Sequence, residues 1–517
     1  MKYSSFISFF LLSSNFFTFS QCLPAKIIGA PASNASSLEN QLTNKEKQQI
    51  IKDAFLHGWN NYVKYGFGYD EIRPVSKEPI NTILGKGATI IDSLDTLYIM
   101  GLTEEFEKAK NYVATIDWKK DTKEVQIFEV VIRYVGGLIS AYELSQEKVF
   151  INKCVELVDL LLPAFDTPTN IPYRYINLNT GQVIHDSGIT NLAESATVQL
   201  EFTRLSQITG EWKYHFIVSF KKMKTSYEGL FPHLIDISTG QARSDYYSWS
   251  GMADSFYEYL IKQYKWTKDE DIKNMAIKAV KGLQTNLLQQ PNGKEFQHLK
   301  YVGAIKDGQP ESSTGELVCF VPATLLLAAR EIPELATVKD SIEQDAHSIL
   351  LGCYQTWVAT RTGLAPETFA WIPYNNTNHK DLNTRQIELA KKYGVFPDSG
   401  APVNYVLRPE TLESIFYFYQ YNKDPIYQDM AWTIFKNINQ HCKAPYGYSG
   451  VNEVDTASPR WNDRQETFFF AETLKYLYLI YDEESRYPFD QWVFNTEAHP
   501  FRITDIQPPT DKSNNSL

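Results

Sequence analysis

The chain has 517 residues, a formal net charge of −11 and 14% aromatic side chains, among them 32 Tyr and 10 Trp. That length allows two or three ordinary domains or one large repetitive one. An acidic balance with scattered rather than massed Lys and Arg argues against a nucleic-acid footprint and against a polybasic membrane surface. The aromatic content suits a large helical core and aromatic sugar platforms alike, and composition does not separate those uses.

The N-terminus carries a short basic head at Lys2, apolar stretches at Phe6–Leu12 and Phe16–Phe19, and the small residue Ser20. This pattern predicts a secretory signal peptide over residues 1–21, with a signal anchor as the alternative. The stretch is short and Ser-rich for a membrane span, and no later run is long enough to be one. A mature protein in the secretory pathway lumen (endoplasmic reticulum or Golgi), or exported, is therefore expected. Residues 22–47 and 503–517 are polar, lack apolar periodicity and read as flexible flanks of a folded body at 48–502. Cysteines at 22, 154, 319, 353 and 442 are few for this length. In an oxidising compartment they imply one structural bridge. Sequons at Asn34, Asn375 and Asn514 fit that compartment.

Within the body the pattern repeats. Units start near Ile91, Phe128, Ala193, Ala253, Glu316, Glu410 and Glu466, most of them roughly 60 residues apart. Each opens with a helical pattern that is acidic or polar on one face and aromatic or Leu-rich on the other. A polar turn and a second amphipathic helix follow. The second unit runs from Phe128 to Tyr142, turns at Ser145-Gln-Glu-Lys148, and continues from Phe150 to Leu162. The sixth runs from Leu412 to Tyr421, turns through Pro425, and continues from Tyr427 to Ile438. Strand-like stretches such as 172–176 and 447–451 are short and read as loops or hairpins. Seven helical hairpins with acids on their first helices predict an all-α closed ring around a carboxylate-lined cavity. An open solenoid is the structural alternative, but it would spread those acids along a surface.

The acids carry the chemistry. Glu129 is flanked by apolar residues, so burying it requires a partner or a function; Arg133, one turn on, is the obvious partner. Asp254 and Glu258 stand one turn apart, an arrangement that repels unless a bound group relieves it. The bland reading is a helix-start Asp254 with an exposed Glu258. In Arg408-Pro-Glu-Thr-Leu-Glu413 the proline suits a first helical turn, and Glu410 and Glu413 share a face. Arg408 adds a planar donor fork for a carboxylate or a pair of sugar hydroxyls. Phe468 and Glu472, also one turn apart, could grip a pyranose, although a Phe run at that spacing is more often core. In the tail, Thr496 offers a hydroxyl and a carbonyl beside Glu497, hard oxygen ligands that suit Ca²⁺. The nine His residues fall into no metal spacing. No phosphate loop and no nucleophile elbow occurs.

Several segments closely resemble the class I α-1,2-mannosidases of glycoside hydrolase family 47. They are Ile90-Ile-Asp-Ser-Leu-Asp-Thr-Leu97, Phe128-Glu129, residues 132–142, Asp254-Ser-Phe-Tyr-Glu-Tyr-Leu260, Leu407–Ser414 and Phe494–Pro500, and the likeness covers roughly residues 48–502. It implies an (α/α)7 barrel and an inverting, Ca²⁺-dependent exo-hydrolase that trims terminal α-1,2-linked mannose from high-mannose N-glycans, expected as a monomer. By the same resemblance Glu129 is the proton donor acting through a water, Glu410 the base that activates the nucleophilic water, and Asp254 a third catalytic carboxylate. Glu367 is a further acid at the site, and Thr496 is the Ca²⁺ ligand. Arg133, Glu194, Arg408, Glu413, Phe468, Glu472 and Glu497 line the mannose subsite, and Cys319 with Cys353 form the disulfide. Two positions depart from the family pattern: Glu316 replaces a His often found before the disulfide Cys, and Met252 replaces an Arg of the endoplasmic-reticulum type. Both are expected to bear on the outer sugar sites, and Met252 favours trimming of several branches. The competing reading is a lectin-like relative in the degradation pathway that binds mannose glycans with little turnover. Its usual long extra regions are missing after His499-Pro500, and every catalytic acid is present.

Overall fold

The computed structural model describes residues 42–122, 124–214, 223–376 and 381–504. The expected signal peptide, Cys22, the sequons at Asn34 and Asn514, and the tail beyond 504 lie outside the described residues. Helix α1 (Asn44–Tyr65) begins ahead of residue 48, where Thr43 accepts from the Glu46 N–H and Glu46 reaches back in a capping box.

Inner and outer helices then alternate. The inner α2 and α3 (Ala88–Asp92, Leu94–Ile99) are followed by the outer α4 (Thr103–Thr115). The inner α5 (Ile127–Glu129) runs through a π-helical turn, Val130–Val135, into α6 (Gly136–Ser145), and α7 (Lys148–Leu161) returns outside. Next come α8 and α9 (Leu192–Ala196, Gln199–Thr209), then α10 (Asp254–Thr267) with α11 (Glu270–Asn286). A 3₁₀ turn at Glu316–Phe320 leads into α12 (Val321–Glu331), paired with α13 (Lys339–Ala359). After the peripheral α14 (Thr384–Tyr393) come α15 (Glu410–Asn422) and α16 (Pro425–His441), the latter capped by Asp424. A second π-helical turn, Phe469–Thr473, opens α17 (Leu474–Ile480), which packs on α1.

The ring closes. Inner helices touch in the order α3, α6, α9, α10, α12, α15, α17, and the π turn before α17 packs back on α2 and α3. A solenoid lacks that last contact, so the closed barrel expected from the sequence is what forms. The strands are short loop hairpins; one pairs Tyr175–Asn177 with both Glu124–Gln126 and Gln182–Ile184, and so fixes the approach to Glu129. Most aromatics serve the core. Phe416, Tyr476 and Phe494, for example, meet edge-to-face or tilted inside one continuous apolar cluster.

A C-terminal hairpin, Trp492–Phe494 paired with Pro500–Arg502, inserts its turn among the inner helices. Asn495 donates to the Ile132 carbonyl and to Glu201, and the Tyr259 hydroxyl accepts from the Thr496 N–H. His499 and Lys475 both bond buried Asp95, and Lys475 also donates to the Ala498 carbonyl. Gly136 and Gly137 make room: a Cβ on Gly136 would stand 2.5 Å from Asn495 Nδ2, and one on Gly137 2.7 Å from the Ile91 carbonyl oxygen.

Cys319 and Cys353 are bridged, joining the 3₁₀ turn to α13 across 34 positions, while Cys154 and Cys442 are free and buried. A loop of that size stabilises by roughly 3–4 kcal/mol in the chain-entropy model. Replacing both bridged cysteines by Ser should lower the unfolding free energy by about that amount in denaturant titrations, with no change on replacing Cys442 by Ala beyond a cavity effect of about 1 kcal/mol.

Candidate active site

The inner helices deliver their acids to one cavity. Arg133 is its hub: Nε donates to Glu129 Oε2 at 2.8 Å, and Nη1 reaches Glu497 Oε2 at 2.8 Å, the Thr467 hydroxyl at 3.3 Å and Asp92 Oδ2 at 3.6 Å. The one-turn spacing of Glu129 and Arg133 thus becomes an ion pair, but one guanidinium is shared among three carboxylates. Across the cavity Arg408 grips both oxygens of Glu367 at 3.1–3.3 Å and approaches Glu410 Oε1 at 3.8 Å. The Phe468 ring lies against both arginines, its centroid 5.8 Å from the Arg133 guanidinium carbon and 5.5 Å from that of Arg408.

Backbone strain flanks three segments of the site. Met252, Leu407 and Ala498 adopt φ of 76°, 71° and 58°, left-handed values unfavourable for side chains with a Cβ. They precede Asp254, precede Arg408 and follow Glu497, and such strain persists only where the surroundings over-determine it. Thr473 helps, donating to the Leu407 carbonyl at 2.7 Å. Pro409 occupies the N-cap of α15 and not its first turn, so Glu410 is the first helical residue.

The pattern of Glycosyl hydrolase family 47 matches residues 54–503. The chain is 37% identical to the mannosyl-oligosaccharide 1,2-alpha-mannosidase IA of Sus scrofa over 472 residues, 89% of this chain and 68% of that one. It is 36% identical to the endoplasmic reticulum mannosyl-oligosaccharide 1,2-alpha-mannosidase of Rattus norvegicus, with the same two coverages. The chain belongs to glycosyl hydrolase family 47. The solved α-1,2-mannosidase from Trichoderma reesei superposes with a TM-score of 0.83 at 29% identity, over 89% of this chain and all of that one. The protein is thus a glycoside hydrolase with the family's (α/α)7 barrel.

In this family 47 enzyme, Glu129, Glu367, Arg133, Arg408, Glu413, Glu472 and Glu497 converge with Asp254 and Glu410 through their mutual charge effects, and Phe468 joins them against the two arginines. Glu194 is held differently. Arg174 takes both its oxygens at 2.6 and 2.9 Å, with Gln126 and Asn191 as further donors. Two expectations need correction. Glu258 is not exposed: it is buried and paired with Lys262, which also stands 3.7 Å from Glu413. Glu316 does not belong to the outer sugar sites: it is 1% exposed, bonds the Thr411 hydroxyl at 2.7 Å and abuts Glu410. Met252, by contrast, is 46% exposed. Asp92 and Glu466 also stand at the site, beside Arg133, and nothing in their spacing marks them in the sequence.

Burial dominates the electrostatics. It pushes Glu413 up to about 8, with Lys262 opposing and Glu258 and Glu410 adding to it. Burial together with Glu497, Glu410 and Glu413 holds Glu472 well above the usual carboxylate range. Asp254 is pushed up to about 7 by burial, against the Ser255 N–H and with the charges of Glu258 and Glu410. The folded chain therefore keeps a proton on Asp254 that the unfolded chain releases at lower pH, so this group's contribution to stability falls as pH rises towards about 7. Asp254→Asn, which cannot ionise, should gain on wild type by at least ~1 kcal/mol between pH 5 and pH 8 in urea unfolding with chelator present.

Among the described residues no cluster of three or more His, Cys, Asp or Glu forms a metal-binding group. The donor set at Thr496 is of another kind. Its hydroxyl and carbonyl oxygens have no hydrogen-bond partner among the described residues, and the N–H alone is used. Two free hard oxygens amid an excess of carboxylates fit Ca²⁺.

Proposed function

We propose that this enzyme removes terminal α-1,2-linked mannose from high-mannose N-glycans with inversion at the anomeric carbon, and that it needs Ca²⁺. The observation that carries this reading is the convergence of Glu129, Asp254, Glu367 and Glu410 on one cavity, in a chain whose relatives are named as mannosyl-oligosaccharide 1,2-alpha-mannosidases. Inversion needs an acid and a base about 6.5–9.5 Å apart, with a water between base and sugar. Acids on separate inner helices suit that spacing. Glu410 takes a proton from the attacking water; its Oε1 is oriented by Arg408, and Oε2 is buried without a partner. Glu129 acts at the leaving oxygen through a water, since Arg133 holds it as a carboxylate partner. Asp254, which retains a proton to about 7 and feels the charge of Glu410, is the third carboxylate of the reaction. Glu367 fixes Arg408, and Glu413, Glu472 and Glu497 offer acceptors to mannose hydroxyls. Thr496 would hold Ca²⁺, which when bound coordinates sugar hydroxyls and keeps the ring distorted.

The same reading places the protein in the secretory pathway lumen or outside the cell. Two observations support this: the signal-like residues 1–21 and the bridge between Cys319 and Cys353. Among the described residues no helix is long and apolar enough to cross a membrane.

A time course on a nine-mannose glycan, resolved by isomer, tests the activity and its breadth. Free mannose should appear, and digestion should proceed steadily towards five mannoses. An exposed Met252 packs without selecting hydroxyl geometry, so no single branch is fixed in the cleft. No free mannose would refute the activity; one persistent eight-mannose isomer would refute the breadth.

A further inference from the structure

Glu316 has no role in the reaction as described so far, yet its surroundings are unusual for a carboxylate. It opens the 3₁₀ turn that leads into α12, and its backbone N–H donates to the Glu367 carbonyl at 2.9 Å. Its side chain is 1% exposed. Oε1 accepts from the Thr411 hydroxyl at 2.7 Å and from the Thr411 N–H at 3.4 Å. Oε2 is buried with no donor among the described residues, and the same holds for Oε2 of Glu410. The two carboxyls lie within hydrogen-bond reach of one another.

Two carboxylates in contact, each with a buried oxygen that lacks a donor, are unstable as a doubly charged pair. The groups around Glu316 do not relieve it. From the start of α15 it faces Glu410 and Thr411; from the loop before α15, Tyr405 and Arg408; from the loop after α13, Glu367. Arg408 is the one cation among them, and both its close contacts are to Glu367 and Glu410. A single proton between the two carboxyls gives both oxygens a partner through one hydrogen bond.

We propose that Glu316 is a positioning residue that carries this proton and donates it as a hydrogen bond to Glu410, leaving Glu410 the charged member of an acid–carboxylate pair. Burial, the charge of Glu410 and its hydrogen bond favour the protonated form of Glu316, against the pull of Thr411. The arrangement orients Glu410 towards the attacking water from one side while Arg408 does so from the other. It also makes the two side chains titrate as a unit, so the loss of activity at low pH belongs to the pair. The mechanistic part rests on Glu410 being the base, as proposed above; the shared proton does not.

Two substitutions and one spectroscopic measurement test this. In Glu316→Gln the amide N–H₂ replaces the donated proton and the amide oxygen still accepts from Thr411. That variant should retain at least about a fifth of wild-type kcat/KM, with the acid limb of its pH profile within ~0.5 unit of wild type. Glu316→Leu removes the donor, and should lose at least about 30-fold in kcat/KM while its acid limb moves up by a unit or more. Infrared difference spectra of wild type minus Glu316→Gln, at neutral pH, should show the carbonyl stretch of one protonated carboxylic acid, and this readout does not depend on turnover. Lack of that band would show Glu316 to be ionised and overturn the proposal. So would a Gln variant as impaired as the Leu variant. If Glu410 is not the base, the band persists while the two pH profiles coincide, which separates the failure of the earlier reading from the failure of this one.

Discussion

Glu410→Gln should fold and bind glycan like the wild type and turn it over about 10²–10⁴-fold more slowly. An amide is nearly isosteric with the carboxylate, keeps an oxygen for Arg408, which stands 3.8 Å from Oε1, and cannot accept the proton of an attacking water. The folding part of this expectation has a structural basis. Glu410 begins α15 behind Pro409 at the N-cap, and the Gln amide can turn its N–H₂ towards Glu316, which then accepts where it otherwise donates. Removing one charge from a crowded acidic site also relieves Asp254, Glu413 and Glu472, all of which feel Glu410 as a like charge. The variant should therefore melt at or above the wild-type temperature while its kcat collapses. Steady-state kinetics at saturating glycan, beside a melting curve and a glycan-binding isotherm, separates these effects. More than a third of wild-type kcat would remove Glu410 from the mechanism; weakened binding with unchanged kcat would make it a subsite residue instead.

Much of this site was legible because helical spacing is rigid. Glu129 and Arg133 one turn apart could do little else than pair, and they do so at 2.8 Å. The alternation of inner and outer helices followed from apolar periodicity, and a ring followed from acids that recur at the starts of the inner helices. What spacing could not reveal was depth. Asp254 and Glu258 look alike on a helical wheel, yet Glu258 is buried with Lys262 as its counter-ion. Lys262 is one further turn along the same helix, a signal that was available once a buried Glu258 was considered. Glu316 was misplaced for the same reason: a carboxylate before a disulfide cysteine carries no mark of being wedged under another carboxylate from α15. The two π-helical turns were invisible as well, since Val130–Val135 and Phe469–Thr473 read as ordinary helix. Each adds a residue to a turn beside Arg133 or Glu472, a local widening of the kind found at functional sites.

The second large effect concerns the metal. Chelation should abolish mannose release and lower the melting temperature, and Ca²⁺ should restore both. A ligand that binds only the folded state stabilises it by about 4 kcal/mol at a thousand times its dissociation constant. The physical link to stability is the C-terminal hairpin. Its turn, residues 495–499, reaches Ile132 and Glu201 through Asn495, Tyr259 through Thr496, Arg133 through Glu497, and Asp95 through His499. A cation on the free hydroxyl and carbonyl of Thr496 would pull that turn and the surrounding carboxylates together, so the metal term and the seating of the hairpin are coupled. Thr496→Val keeps the shape and the carbonyl but removes the hydroxyl, and should demand at least about tenfold more Ca²⁺ for half-maximal activity. Its melting temperature in chelator should equal that of chelated wild type, since Thr496 contributes no other side-chain bond among the described residues. Equal melting curves for wild type with and without chelator, after metal analysis has confirmed a loaded starting state, would remove Ca²⁺ from Thr496. A Thr496→Val variant already destabilised in chelator would show instead that the hydroxyl serves the fold.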